Sequence, residues 1–392
     1  MAVPTCPSCG RPDPRLFHEA SNLPVNSCLL VDSFEEATAF PRGDLVLGFC
    51  RGCGFIWNTV FDPSLSEYSG RYEETQGFSP RFVEFACGLA TRWIETYDLH
   101  DADILEIGSG KGEFLQMMCE IGPNRGTGID PSYRPERMTG EAVERMTFIR
   151  DFYGERYQDL TGDAVVCRHT LEHIPAVGEF LGVVRSSRVD RSATAVLFEL
   201  PDVYRVLEEV AFWDVYYEHC SYFTLGSLAR LFRRHDFGIT GLSVEFDNQY
   251  LLIEGHPGAG SAGPTRPEED DLEKTEKAVD HFESHYPSVV SEWTEGLGAS
   301  LDAGRRVVIW GAGSKGVSYL TTLGVTDEIN YAVDINPHKH GKFMAGTGQE
   351  IVSPEFLRGY KPDEVIVMNR VYVPEIAANL EALGVETSVR AV

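Results

Sequence analysis

Four absences bound this sequence before any motif is read. Long apolar runs are missing: nothing in the 392 residues approaches the roughly 18 consecutive apolar residues of a membrane span. Positive charge is scarce, with 34 Lys and Arg against 60 Asp and Glu and a formal net charge of −26. A nucleic-acid binder neutralises phosphates with a basic surface, so that class of partner is excluded. A local basic pocket for one phosphorylated small molecule is not. The N-terminus lacks a basic stretch followed by an apolar core, which predicts a cytoplasmic protein with no membrane partner. A disulfide framework is missing too: Cys28, Cys87, Cys119, Cys167 and Cys220 are scattered and read as reduced packing residues. What remains is 43% hydrophobic and 24% charged, ordinary for a folded chain long enough for two or three domains.

The other four cysteines are paired in sequence, as CPSCG at Cys6/Cys9 and CRGCG at Cys50/Cys53. In each C-x-x-C-G the glycine permits the turn that aims both thiolates at one metal. Two such knuckles predict a closed zinc site of four thiolates, structural because no coordination position stays open.

Residues 103–115, DILEIGSGKGEFL, run from a buried strand through Gly108, Gly110 and Gly112 into a helix. Glycines so spaced permit a tight strand-to-helix turn and close approach of a ligand to the backbone. The carboxylate of Glu106 inside the strand suits a cationic ligand better than a pyrophosphate. One βαβ unit later, TGIDPS ends a strand at Asp130, the position from which an acid holds ribose hydroxyls. Here the chain resembles the class I S-adenosylmethionine (SAM) methyltransferases. The resemblance implies that Asp151, after the strand MTFIR, meets the adenine amino group and that Phe152 covers its ring. A helix cap is the other reading of Asp151. The strand AVVCRHT ends at His169, and side chains at the carboxyl end of a doubly wound strand face the ligand crevice, which places His169 near the methyl donor. His169 and His173 form H-x-x-x-H but lack the further features of a metal pair.

Residues 60–82 are polar, with Tyr68, Tyr72 and Phe78 interspersed; they are either a surface connector or a lid whose Tyr72 faces the acceptor. Residues 82–97 repeat apolar side chains at helical spacing. Further on, Tyr216, Glu218, His219 and Tyr222 crowd into seven residues ahead of an amphipathic helix. A neutral imidazole accepts a proton near pH 7, and a carboxylate and phenols beside it can hold it and stabilise developing charge. The last third opens with RRVVIWGAGSKG, a strand entering G-x-G-x-x-G, and Asp334 ends the next strand. Alone this is a dinucleotide fingerprint.

Two C-x-x-C knuckles, the SAM motif, E-x-P at 199–201, the Y-x-E-H-x-x-Y-F-T loop and the strings GAGSKG and DINPHKHGK together resemble the nucleotide-ketosugar C-methyltransferases. That resemblance implies His219 as base, assisted by Glu218, Tyr216 and Tyr222. It places Glu199 with the substrate, and sets a C-terminal domain against the nucleotide sugar, where Lys315, Lys339 and Lys342 would meet the diphosphate and Asn336 and Asn369 the ligand. The expected fold is α/β: a small zinc-binding N-terminal domain with its connector (1–75), a class I SAM methyltransferase Rossmann-like domain (76–257), and a linker, bridging helices and second Rossmann-like domain (258–392). The expected reaction is SAM-dependent C-methylation of a nucleotide-diphosphate keto-deoxysugar through an enolate. O- or N-methylation of a sugar-like metabolite, or an oxidoreductase binding NAD at GAGSKG, are the alternatives.

Overall fold

The computed structural model describes residues 4–66, 68–186, 194–258 and 263–392. Strands β1 (Arg15–Pro24), β2 (Arg42–Phe49) and β3 (Ile56–Asn58) form an N-terminal meander. The helix Pro80–Tyr97 follows, started by the Ser79 cap and Pro80 and ended by Asp98 in the left-handed region. Its apolar face of Phe82, Ala86, Leu89, Ala90, Trp93 and Ile94 recurs at the helical period and is buried.

Next come β4 (Asp103–Ile107), β5 (Arg125–Ile129), β6 (Met146–Ile149), β7 (Ala164–Arg168), β8 (Ala195–Pro201), β9 (Ser221–Tyr222), β10 (Phe237–Glu245) and β11 (Tyr250–Pro257). All but β9 make one seven-stranded sheet of order β10-β11-β8-β7-β4-β5-β6. The run β8 to β6 is parallel, and β11 is antiparallel to both neighbours. Strand order reverses between β4 and β7, and the carboxyl ends of those strands open the crevice where such sheets bind ligands. Strand β9 leaves this sheet and pairs with β3, Ile56 opposite Tyr222, so the N-terminal sheet β1-β2-β3-β9 is completed by a strand from beyond residue 200. The first two units are therefore interlocked.

Of the composition-based linker at 257–271, residues 259–262 lie outside the described residues. The acidic stretch after it is one helix, Leu272–Asp302, with Pro287 inside; the face bearing Ala278, Val279 and Phe282 is fully buried. The final unit has β12 (Val307–Trp310), β13 (Tyr331–Val333), β14 (Glu350–Val352), β15 (Glu364–Val367) and β16 (Ser388–Ala391). They form an all-parallel sheet β14-β13-β12-β15-β16 with its own switch point between β12 and β15.

Candidate active site

One cavity of about 530 Å³ runs from the carboxyl ends of β4 and β7 to those of β12 and β15, a volume typical of small-molecule sites. At one end lies the first glycine turn. Gly108 and Gly110 have φ of +71° and +54°, and a Cβ on Gly108 would sit 1.9 Å from Thr170 Oγ1, so only glycine fits. Gly112 caps the helix Glu113–Ile121 and packs on Phe148; it does not line the cavity, which corrects its expected cofactor contact. Glu106 lines the cavity and is buried, its Oε2 without a partner, as is Ser109 Oγ. Burial pushes the Glu106 carboxyl up to about 8. Asp130 accepts from Gly110 N at 2.8 Å, Ser132 N at 2.6 Å and Ser132 Oγ at 2.7 Å. Asp151 accepts from Tyr157 Oη at 2.5 Å and Phe152 N at 2.8 Å and pairs with Arg156, which hold its carboxyl below the usual range. It caps its own turn and lines the cavity, and Phe152 stands at the rim, 58% exposed.

Two orphaned buried oxygens, a backbone cradle that a Cβ would fill, and an acid at the end of the next strand fit an adenosine-bearing cation. Missed by sequence reading were Lys111, buried against the carbonyl of Tyr72 and the carboxylate of Glu74, and Arg168, bidentate on Glu199 at 3.0 Å and stacked on Phe114. Their hydrogen-bond partners Tyr72, Glu74 and Glu199 lie 31 to 39 positions away, at separations no local pattern reports.

The imidazole of His169 lines the cavity, 2.7 Å from Glu199 and 3.6 Å from Glu172. Burial lowers its basicity, but the two carboxylates prevail and hold it up to about 9. Glu199 is only 1% exposed and does not line the cavity. Both its oxygens serve Arg168 and His169, which corrects its expected contact with the acceptor.

Tyr68, Tyr72 and Phe78 line the cavity, so residues 68–82 border the ligand space rather than forming a surface connector. Tyr216, His219 and Tyr222 line it as well. The His219 ring lies 4.2 Å from that of Tyr216, 4.8 Å from His173 and 6.4 Å from Tyr222, and it makes no hydrogen bond to another described residue. Burial, with the cations around it, holds His219 well below the usual histidine range, so the ring is neutral. Glu218 does not face it. Its carboxylate accepts from Ser27 N at 2.6 Å, Ser27 Oγ at 2.5 Å and Ser314 Oγ at 3.3 Å and does not line the cavity, a correction to its expected place beside the base. In a tight turn consecutive side chains diverge, and 217–218 is such a turn. The carbonyl of Glu218 instead receives His173 Nδ1 at 3.0 Å. Glu172, His173 and His219 have ligand atoms within 4.8 Å of one another. A cation there would consume the lone pair that proton abstraction needs.

The C-terminal end of the cavity is more fully paired. Lys315 is bound to Asp214, which also takes Arg205; all three line the cavity. Lys339 donates to Asp334 and the Ala312 carbonyl, both at 3.1 Å. Lys342 pairs with Asp32 away from the cavity, a correction to its expected diphosphate contact. Asn336 donates to Glu73 at 2.9 Å, and Asn369 pairs with Gln249 through both its side-chain atoms; both still line the cavity. Asp334, the acid that would hold an NAD ribose, is neutralised by Lys339 and accepts from Ala312 N at 3.1 Å.

The four cysteine sulfurs lie within 4.8 Å of one another, with Cys6–Cys53 at 3.6 Å and Cys9–Cys50 at 3.5 Å. Tetrahedral zinc thiolate sets sulfurs about 3.8 Å apart, so the cluster fits the ion. None of the nine cysteines is in a disulfide, and no helix among the described residues is long and apolar enough to cross a membrane.

Residues 77–241 match the methyltransferase domain family and residues 264–388 the C-methyltransferase C-terminal domain family. The chain is 26% identical to the C-methyltransferase NovU of Streptomyces niveus, over 96% of this chain and 92% of that protein. Solved structures align more loosely. Burkholderia thailandensis 1,6-didemethyltoxoflavin-N1-methyltransferase with bound 1,6-didemethyltoxoflavin and S-adenosylhomocysteine is 19% identical (44% of this chain, 78% of that one, TM-score 0.35). The PH0226 protein of Pyrococcus horikoshii OT3 is 16% identical (47% and 94%, TM-score 0.37). At such scores the fold is read from the strand order itself. That order, the cradle at Glu106 and Gly108, and the two domain matches in sequence lead to one conclusion: the chain is a SAM-dependent C-methyltransferase.

Proposed function

We propose that the protein C-methylates a keto sugar carried on a nucleoside diphosphate, with His219 as the base that forms the enolate. The observation that carries this reading is a neutral, hydrogen-bond-free imidazole facing the same cavity as the cofactor-type glycine turn. Glu106, Gly108, Gly110 and Asp130 would hold the cofactor's amino-acid and ribose portions, and Asp151 and Phe152 its adenine. When bound, SAM supplies an activated methyl group. The chain does the rest. His219 removes a proton from the carbon beside the ketone, and the Tyr216 phenol donates toward the enolate oxygen, while the Tyr222 phenol donates to the Tyr216 carbonyl at 3.3 Å and holds that loop. Burial raises the pKa of both phenols above the ordinary tyrosine value, so both stay protonated and Tyr216 is able to donate. Residues 68–78 cover the cavity from one side and exclude water, which supports holding carbon and methyl at near-attack distance.

The nucleotide would lie toward β12 and β15. Arg205 and Lys315 share Asp214, and Arg205 also pairs with Glu209, so a diphosphate would compete with these carboxylates for the two cations. The cysteine cluster would hold zinc without a chemical part, stapling an N-terminal lobe with little core of its own. Cysteines free of disulfides and the excess of acidic residues favour a cytoplasmic location. The test is incubation of nucleotide 4-keto-deoxysugars with SAM, followed by mass and NMR analysis. A new carbon–methyl bond supports the reading; attachment at oxygen or nitrogen, or no product from enzyme that binds SAM, refutes it.

A further inference from the structure

We propose that Glu74 binds the α-ammonium group of the cofactor's methionine tail, positioned for this by Lys111; the inference rests on the cofactor placement just described. Residues 72–77 lie directly on the glycine turn. Lys111 Nζ, its side chain wholly buried, donates to the Tyr72 carbonyl at 2.7 Å, to Glu74 at 3.0 Å and to Ser132 Oγ at 3.2 Å. Thr75 Oγ1 donates to Glu113 at the start of the following helix. The Glu74 side chain stays 31% exposed, and the surface it keeps is on the cavity. Its Oε1 lies 2.7 Å from where a Cβ on Gly110 would be. The middle glycine of the motif is therefore what admits this acid to the turn.

The charge count then points to a cation. Glu74 is paired with Lys111, while the neighbouring carboxylate of Asp130 accepts only from Gly110 and Ser132 and has no cationic partner among the described residues, so the cradle carries a net negative charge. Burial and the neighbouring Asp130 push the Glu74 carboxyl up to about 7 against the pull of Lys111, a cost that a bound cation relieves. The cofactor has two cationic groups. Its sulfonium must face the cleft of His219 for transfer, which leaves the ammonium at the far end of the methionine tail for the acid beside the glycine turn. An acid that only pinned the connector would need the lysine and no opening to the cavity.

Calorimetry with two ligands separates these roles. S-Adenosylhomocysteine (SAH) carries the ammonium; 5′-methylthioadenosine keeps the adenosine and the sulfur but has no amino-acid tail. Glu74→Gln is expected to weaken SAH binding tenfold or more and to leave 5′-methylthioadenosine within twofold. Equal weakening of both would mean that Glu74 only holds the connector, and no weakening of SAH would remove it from the site; either overturns the inference. A second arm needs no variant: wild-type protein should bind an SAH analogue lacking the α-amino group at least tenfold more weakly than SAH, and equal affinity overturns the inference. Asp130→Asn should weaken both SAH and 5′-methylthioadenosine. If it weakens neither, the cofactor placement itself fails, and this inference with it.

Discussion

The molecule contains two strand–glycine–helix turns that read alike and are wired differently. The first runs E-I-G-S-G-K-G from Glu106, the second I-W-G-A-G-S-K-G from Ile309, and each is followed by an acid at the end of the neighbouring strand, Asp130 or Asp334. In the first, Glu106 Oε2 and Ser109 Oγ are buried without partners, and the lysine of the turn reaches out to the covering segment. In the second, the position of Glu106 is an isoleucine, no side-chain atom of residues 311–316 is a buried orphan, and Asp334 is ion-paired with Lys339. A glycine pattern gives a turn; polar atoms left unsatisfied around it mark where a ligand belongs.

That contrast can be broken in several places. The largest expected effect is at the base. His219→Asn should lower methylation by about 10²–10⁴-fold, the usual worth of a general base, with SAH affinity unchanged within twofold; a parallel loss of SAH binding would put His219 in the cofactor site instead. Next are the two acids. Asp130→Asn should weaken SAH by roughly 10–100-fold, since hydrogen bonds to charged groups contribute about 1.5–3 kcal/mol, whereas Asp334→Asn should leave SAH affinity unaltered and act on acceptor binding. Equal effects in calorimetry would erase the distinction between the turns.

A pH series sharpens it further. Burial pushes the Glu106 carboxyl up to about 8, and the cationic amino-acid portion of the cofactor prefers its ionised form. SAM and SAH affinities should therefore both rise with pH up to about 8 and level off above it, and Glu106→Gln should flatten both profiles. A SAM profile falling with pH contradicts the placement. The smallest effect concerns the second turn: NAD at millimolar concentration should not shift the melting temperature measurably, while SAH at 100 times its Kd should stabilise the fold by about 2.7 kcal/mol.

Much of this was legible in the sequence because it is local. Glycines fix turns, 3.6-residue periodicity fixes the helix Pro80–Tyr97, and an acid at a strand end is one residue in one place. Tyr216, His219 and Tyr222 were legible as a cluster for the same reason. What escaped was pairing at a distance and side-chain direction. Glu218 follows the same string as His219 but turns to Ser27, 191 residues away. Glu199 looked available and is consumed by Arg168. Asn336 was expected at the ligand and also ties residue 73 to the last domain. Strand β9 could not be foreseen either, since two residues carry no periodicity.

The central claim is that His219 forms an enolate of the acceptor in this cavity. Its most direct test is deuterium uptake by a nucleotide 4-keto-deoxysugar in D₂O with enzyme and no SAM, read by NMR at the carbon beside the ketone. The account predicts enzyme-dependent exchange at the carbon that is later methylated, abolished in His219→Asn that still binds SAH. Exchange that persists unchanged in that variant would contradict it.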